Sequence, residues 1–501
     1  MLQNIFDLFE LNAKKFPDNI AIILSNKKKI TYRNLLRDVN KLSYNLKYQG
    51  IKENEAVCII SEKSLEAYKF ILACLKIGSP YFFLDPDQPL DRLLEIIKIG
   101  NPKLIFTQKK IDIKKSLLID SFIKKEFLYK KNFLEVSSFI SHAYYMFTSG
   151  SSGKPKGAII SQYNLKYLIE WAKNEYKFDE KTVHTALNPI FFDNSIFDFY
   201  ATIGNAGTLV VLTNKEILNP ETVIKVINSN MCNSWFSVPS LIKFYLSLKM
   251  FNKKNFKNLD RFIFGGEGFP ITHLKKLYEI YGNTKIYSNV YGPTECTCIC
   301  SSYNVSLGDL KSKNNFPPIG KLNYYFDGFL YDEISNKKSN YGELVLLGPA
   351  VGKGYLDNIE NKGFKLNPIE NRFKEIAYFT GDVMKYDKQN KLIFVSRKDN
   401  QIKHMGFRIE IEEIECRLRK IKFIEDVVIT FISNPENSFL IATIKCNKDI
   451  KKKININYKK YLPKYMIPKH TRFVKSIPEN KNGKLDRVKI KNKIIKIYDA
   501  I

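Results

Sequence analysis

AYYMFTSGSSGKPKGA, residues 143–158, is the stretch on which the reading of this chain turns. Four β-prone residues, Tyr144, Tyr145, Met146 and Phe147, run directly into a loop of Gly, Ser, Lys and Pro. A strand opening into such a loop presents backbone N–H groups and hydroxyls to phosphate oxygens. The spacing departs from the NTPase P-loop, because neither Gly150 nor Gly153 is followed by Gly-Lys-Ser/Thr at the required distance. It also departs from the dinucleotide fingerprint, whose glycine spacing and downstream acid are missing. Taken alone, the stretch is either a phosphate-holding loop or a surface turn, and the remainder of the chain decides between them.

At 501 residues the chain exceeds one core of ordinary size and predicts two or more domains. A hydrophobic content of 44% with 13% aromatics supplies ample core material. Apolar runs such as 70–77 are interrupted by lysine and fall short of a membrane span, and residues 1–16 alternate like an amphipathic helix rather than a signal peptide. The expectation is a soluble, cytoplasmic protein. The net charge of +29 raises the question of nucleic acid. The lysines, however, are spread along the whole length, runs such as 27–29 and 451–453 are short, and no Arg-rich, aromatic-interleaved face appears. A solvated lysine surface that attracts an acidic protein partner is the better reading, with no nucleic acid. Of eight cysteines, Cys296, Cys298 and Cys300 form C-x-C-x-C. On a strand they share one face, and no fourth ligand stands in zinc spacing, so small buried residues of a strand are expected and no metal.

Residues 1–140 alternate helical and strand patterns, as in an α/β domain. A helix is predicted over 65–76 with Ser64 as its cap, then a strand over 81–84. In FFDNS (191–195), Asp193 is an acid among aromatics, either a paired structural carboxylate or a receptor for a ligand amine. A strand over 261–264 runs into Gly265-Gly266-Glu267, a close-approach turn. NVYGPTE (289–295) joins a strand to a turn with a hydroxyl and a carboxylate, chemistry suited to magnesium. Thr380-Gly381-Asp382 is a loop acid able to hold a ribose diol, or simply a turn. A domain boundary is predicted at 396–399, between a strand over 391–395 and a further strand (401–403), Gly406 and a charged helix (410–420). Lys484 sits on a tight turn in NGKLDR (482–487), within a lysine-rich tail.

In this order, TSGSSGKPKG, YGPTE, GELVLLGPAVGKGY, YFTGD, SRKDNQIKHMGFRIE and NGKLDR resemble the adenylate-forming superfamily, from about residue 31 to 484. Its members include peptide-synthetase adenylation domains, D-alanyl carrier protein ligases, acyl-CoA synthetases and luciferases. The resemblance implies an α/β fold: a large N-terminal domain of α/β subdomains (1–396) and a small mobile α+β C-terminal domain (397–501). It implies ATP and Mg2+ as cofactors. Thr148, Ser149, Gly150, Ser151, Ser152, Gly153 and Lys156 would contact the β- and γ-phosphates. Gly266 with Asn289, Val290 and Tyr291 would sandwich adenine; Gly292, Pro293, Thr294 and Phe394 belong to the same nucleotide set. Asp382 and Arg397 would hold the ribose, Glu295 the metal, and Asp399 would be the hinge. Lys484 would bridge the substrate carboxylate and the nucleotide, Lys403 would face the adenylate in the second step, and Gly406 would line a pantetheine path. Ser396 and Lys353 depart from the usual pattern without touching the chemistry.

Within that resemblance, an acid in FDxS context marks amino-acid activation, so Asp193 would pair with a substrate α-ammonium. Asn194, Phe197, Ser237, Ile263, Gly265, Val290, Cys298 and Ile299 would form the pocket wall. That wall carries no charge, which implies a small or middle-sized neutral amino acid. WFSVPSLIKFY and FIFGGEGFP look especially like the D-alanyl carrier protein ligases. The expected function is ATP-dependent aminoacyl-adenylate formation with release of pyrophosphate. Transfer to the phosphopantetheine thiol of a separate acidic carrier protein follows. An acid:CoA ligase is the alternative; a catalytically dead binding module and a basic nucleic-acid binder are the readings from other classes.

Overall fold

A computed structural model describes residues 3–125, 137–150, 153–312, 314–356, 363–370, 372, 374–433, 438–446, 456–478 and 485–498. The chain divides into two compact units. The first comprises Met1–Pro86, Ile97–Phe147 and Gly157–Lys398; the second comprises Asp87–Ile96, Thr148–Lys156 and Asp399–Ile501. Among the described residues no helix is long and apolar enough to cross a membrane.

One nine-stranded sheet and two six-stranded sheets organise the first unit. In the nine-stranded sheet, Arg261–Gly265 lies between Ser234–Ser237 and Ile286–Tyr291, parallel to both. All three strands are almost wholly buried, as expected where a parallel sheet is covered on both faces. In one six-stranded sheet, Val57–Ile60, Tyr81–Leu84 and His142–Thr148 lie near the centre. The helix Leu65–Ile77 connects the first two. Ser64 accepts a hydrogen bond from the Ala67 N–H at its start, and Gly78 ends it in the left-handed region with φ 68°. In the third sheet, the antiparallel strands Ile376–Tyr386 and Leu392–Arg397 place Asp382 directly opposite Arg397.

The second unit contains a hairpin of Gln401–His404 and Phe407–Glu410, the helix Ile411–Arg419, a three-stranded sheet and the helix Arg487–Tyr498. Met405 (φ 53°) and Gly406 (φ 80°) make the two-residue hairpin turn, the left-handed pair that suits strand twist. Ile409, Ile414, Leu418, Val427, Ile429 and Leu440 form its core. Acids on Ile411–Arg419 are buried only where they are paired. Glu413 accepts from Arg92 Nε and Arg417 Nε at 2.9 Å each. Burial pushes its carboxyl up, but the two guanidiniums outweigh this and hold it below the usual range.

A polar network lies within the first unit. Lys63 Nζ donates to the Ala186 carbonyl at 2.8 Å. His184 lies between Ser234 Oγ (2.9 Å) and Asp198 Oδ1 (3.2 Å), and the Asn188 side chain donates to Asp198. This hydroxyl–imidazole–carboxylate order resembles a hydrolytic relay, but Ser234 and His184 are 0% exposed and Asp198 is 1% exposed. With no path for a substrate, it is a packing network that satisfies buried polar groups. Burial pulls the Lys63 amine down to about 7, against the opposing pull of Asp198, Glu62 and Glu216. In the unfolded chain this amine titrates about 10.4. Between those values the unfolded chain keeps a proton that the folded protein has released, so stability rises with pH across the window. Below it, the cost of burying the cation is fully present. The thermal midpoint of the parent is therefore expected to rise from pH 7 to pH 9 more than that of Lys63→Met; equal slopes in a calorimetric pH series would refute this.

The cysteine expectation is corrected. Cys296, Cys298 and Cys300 are all buried, but they do not lie on a strand. Thr294–Cys296 is a 3-10 turn, Thr297 and Cys298 are left-handed at φ 56° and 74°, and the next strand starts only at Ser301. Cys296 and Cys300 pack into one core and Cys298 into another, so the three share no face. The extended pattern fails because Thr297 and Cys298 reverse the chain, with Thr297 Oγ1 donating to the Ala350 carbonyl at 2.7 Å. Among the described residues no three His, Cys, Asp or Glu side chains gather to hold a metal.

Candidate active site

In open α/β sheets the carboxyl ends of neighbouring parallel strands are where ligands bind. In the first unit those ends are Gly265, which leads to Gly266 (φ 88°), and Tyr291, which leads to Gly292-Pro293-Thr294-Glu295. Gly265 lacks a side chain for a local reason: a Cβ there would meet the Val290 carbonyl oxygen at 2.5 Å. The neighbouring strand, rather than ligand size, therefore dictates that glycine. Asn289 Nδ2 donates to the Pro318 carbonyl at 2.8 Å, which tethers the end of its strand.

Three hydrogen-bonded pairs hold the acids of this region. Thr294 Oγ1 donates to Asp193 Oδ2 at 2.5 Å. Tyr355 Oη donates to Glu295 Oε1 at 2.6 Å, and the Glu295 carbonyl accepts from the Gly352 N–H at 2.8 Å. Asp382 accepts from Tyr291 Oη on one oxygen and from Arg397 Nη1, at 2.6 Å, on the other. Arg397 Nη1 also reaches the Thr380 carbonyl at 3.2 Å. Burial, with the Asp382 charge next, pushes the Tyr291 hydroxyl well above its ordinary value, so it remains a donor. Arg397→Leu would leave Asp382 buried beside a single hydroxyl. It is expected to cost about 3 kcal/mol, read as a lower urea midpoint, because a buried carboxylate loses its cation; an unchanged midpoint would refute it.

Asp193 stands at the start of the short helix Asn194–Ile196, which continues as a π-helical turn over Phe197–Ala201, a local form common at functional sites. Phe197, Ile263, Val290, Cys298 and Ile299 belong to one continuous buried apolar group. Phe197 is 0% exposed and sits edge-on to Phe236 at 5.2 Å and to His184 at 5.8 Å. Ser237, at the end of its strand, accepts from Trp235 Nε1 at 2.8 Å and is thereby fixed. Burial and then the Asp193 charge raise the Cys298 thiol well above its ordinary value, so it is neutral there.

The loop of residues 148–156 and the hairpin belong to the second unit. Ser149 Oγ donates to the Arg408 carbonyl and accepts from the Glu410 N–H, both at 2.9 Å. The Gly153 N–H donates to the Gly150 carbonyl at 2.9 Å. A Cβ on Gly150 would meet the Lys154 carbonyl at 2.0 Å, and Gly153 turns with φ 82°, so both positions need glycine. Lys156 opens the strand Lys156–Ser161. Asp399 Oδ1 accepts from the Gln401 N–H at 3.2 Å, and Lys403 lies opposite Arg408 in the hairpin. Phe394, on the strand Leu392–Arg397 of the first unit, is 43% exposed. Ser151, Ser152 and Lys484 lie outside the described residues.

The structure therefore brings Asp193 to Thr294 and Asp382 to Tyr291 and Arg397, from segments far apart in sequence. Sequence reasoning missed Tyr355 as the partner of Glu295; its only signal was its place at the end of the GELVLLGPAVGKGY motif.

The AMP-binding enzyme family model matches residues 9–356. The chain belongs to that family. It is an adenylate-forming enzyme of the superfamily that its motifs resemble, with the expected large α/β unit and smaller α+β unit. Bacitracin synthase 1 of Bacillus licheniformis is 30% identical over 491 residues, covering 96% of this chain but 9% of the synthase. The D-alanine–D-alanyl carrier protein ligase of Bacillus licheniformis is 29% identical over 501 residues, covering 96% of this chain and 98% of the ligase. Among solved structures, an artificially fused adenylation–PCP di-domain NRPS from Klebsiella oxytoca matches with a TM-score of 0.82 at 22% identity, over 100% of this chain and 98% of that one. o-Succinylbenzoate CoA synthetase from Bacillus subtilis matches with a TM-score of 0.85 at 17% identity, over 98% of both chains. Likeness at that level shows the AMP-binding fold alone, and this fold serves proteins named for either thiol acceptor.

Proposed function

We propose that this AMP-binding enzyme activates a small or middle-sized neutral amino acid as its adenylate and passes it to the phosphopantetheine thiol of a separate acidic carrier protein. The observation that carries the reading is Asp193, a carboxylate close enough to the buried Cys298 thiol for its charge to act on it. A carboxylate so placed favours a substrate with an ammonium, because opposite charges attract strongly where water is largely excluded.

In the first half-reaction the substrate carboxylate attacks the α-phosphorus of ATP. An acyl–phosphate bond forms, the α–β phosphoanhydride breaks, and pyrophosphate leaves. Two anions must approach, so cationic side chains and N–H donors have to offset the repulsion. The loop of residues 148–156 and Lys156 are assigned to the departing phosphates, Gly266 and residues 289–291 to the base, and Asp382 with Arg397 to the ribose. Lys484, a compact charge on a flexible stem, is assigned to the oxygens of the reacting groups. Glu295 suits magnesium carried in with a nucleotide: it is a single buried carboxylate, and phosphates supply the remaining oxygens such an ion requires. When bound there, magnesium would spread the phosphate charge. In the second half-reaction the thiolate attacks the acyl carbon, the carbon–sulfur bond forms, and AMP leaves. Asp399 as hinge, Lys403 and the Gly406 turn are assigned to that step, with the functional boundary at 396/397. The positive surface charge favours an acidic carrier.

Exchange of labelled pyrophosphate into ATP, screened over D- and L-amino acids, tests the reading. Exchange with one or a few neutral amino acids is expected. Exchange with acetate or fatty acids alone would favour the CoA-ligase reading.

A further inference from the structure

Tyr144 carries a hydroxyl that no described residue satisfies. Its Oη is buried without a hydrogen-bond partner, and the residue is 0% exposed. Buried polar groups in folded proteins are almost always hydrogen-bonded, so this one needs a partner from elsewhere. Tyr144 lies directly across from Tyr81 in the parallel pairing of Tyr81–Leu84 with His142–Thr148, and the two ring centres are 6.0 Å apart. Tyr81 Oη in turn meets Tyr200 Oη at 2.8 Å. The three tyrosines line one internal cavity with Ser195 and Ile196, and about 10 Å³ of it is open to the centre of a water-sized sphere. A single water needs about 10–15 Å³ measured in that way, together with a few polar partners, so the cavity has room for one water and no more.

The protons in this group can be counted. Three phenols carry three O–H donors, and the bond between Tyr81 and Tyr200 uses one of them. Burial raises all three phenols above their ordinary values, so each keeps its proton. Two donors remain, which is the number a water oxygen accepts. Ser195 gives its own proton to the Phe192 carbonyl at 2.6 Å and retains the capacity to accept one from a water. We infer that this cavity is a built site for a single water molecule. The water accepts from Tyr144 and from the Tyr81–Tyr200 pair. It thereby joins the strand His142–Thr148, which runs into the loop of residues 148–156, to the π-helical turn Phe197–Ala201 that follows Asp193. Its occupancy does not depend on which acid the enzyme activates.

The test is made on the full chain with Tyr144→Phe, which removes one oxygen and leaves the ring. Were the hydroxyl without a ligand, its removal would relieve an unsatisfied polar group and leave the protein equally or more stable. With a water bound, the variant loses a bridge between two buried elements. Its unfolding equilibrium constant is then expected to rise about fivefold to tenfold, the worth of one hydrogen bond. Urea unfolding followed by tryptophan fluorescence reads the unit concerned, because Trp171 and Trp235 are both buried in it. A crystal structure of the parent should show one ordered water about 3 Å from Tyr144 Oη. A dry cavity in that crystal, or a Tyr144→Phe protein as stable as the parent or more so, overturns the inference. Unreduced stability joined to a raised KM for the activated acid would assign the hydroxyl to the substrate instead, and overturns it as well.

Discussion

Lys484→Ala is expected to lower amino-acid-dependent pyrophosphate exchange by about a hundredfold or more, the usual scale for removing one charge-stabilising contact from a transition state. The attack brings a carboxylate to a phosphate ester, and the charge that offsets this approach matters more at the transition state than when either substrate binds alone. The loss should accordingly fall on kcat, with the KM values for ATP and amino acid changing much less. The second half-reaction separates this role from a general loss of structure: if the chemically prepared aminoacyl-adenylate is supplied, transfer to the thiol should survive in the variant. Exchange at the parental rate in Lys484→Ala would remove Lys484 from the mechanism. It would also revive the reading of the chain as a binding module that only keeps the fold.

Asp193→Asn should produce the second large effect, of a different kind. The amide keeps the size and can still accept from Thr294, but it has no charge to meet an ammonium. Leaving such a cation desolvated and unpaired costs about 3 kcal/mol, so kcat/KM for the amino acid should fall about a hundredfold, mostly through KM. The des-amino acid should lose little or even gain, because it has no ammonium for the carboxylate to attract. A competition assay between the two acids reads this directly. Equal losses for both would make Asp193 a structural acid, the other reading its sequence context allows.

Much of the fold was legible because it is local. Ser64 before an apolar run and Gly78 after it define the helix Leu65–Ile77, since caps and left-handed terminators act within a few residues. The strands Tyr81–Leu84 and Arg261–Gly265 were likewise visible as short apolar runs ended by Asp-Pro and Gly-Gly. Cys296, Cys298 and Cys300 show where such reading fails. Alternation implied a strand, but Thr297 and Cys298 adopt left-handed backbone that no propensity favours, and the Thr297 bond to Ala350 supports that turn from fifty-three residues away. The close approach at Gly265 was visible in the sequence, but only the sheet shows that it is to the carbonyl of Val290 on the next strand.

The sequence by itself determined the chemical vocabulary of this protein: a glycine- and serine-rich loop, an acid in an aromatic context, a hydroxyl beside a carboxylate, and their order along the chain. These depend on residue type and short spacing, which the chain carries without folding. Only the tertiary structure decided the pairings. Thr294 with Asp193, Tyr355 with Glu295, and Tyr291 with Asp382 join residues sixty or more positions apart. The physical reason is that a hydrogen bond requires contact within about 3 Å, and only sheet register and strand ends bring such distant segments to that range.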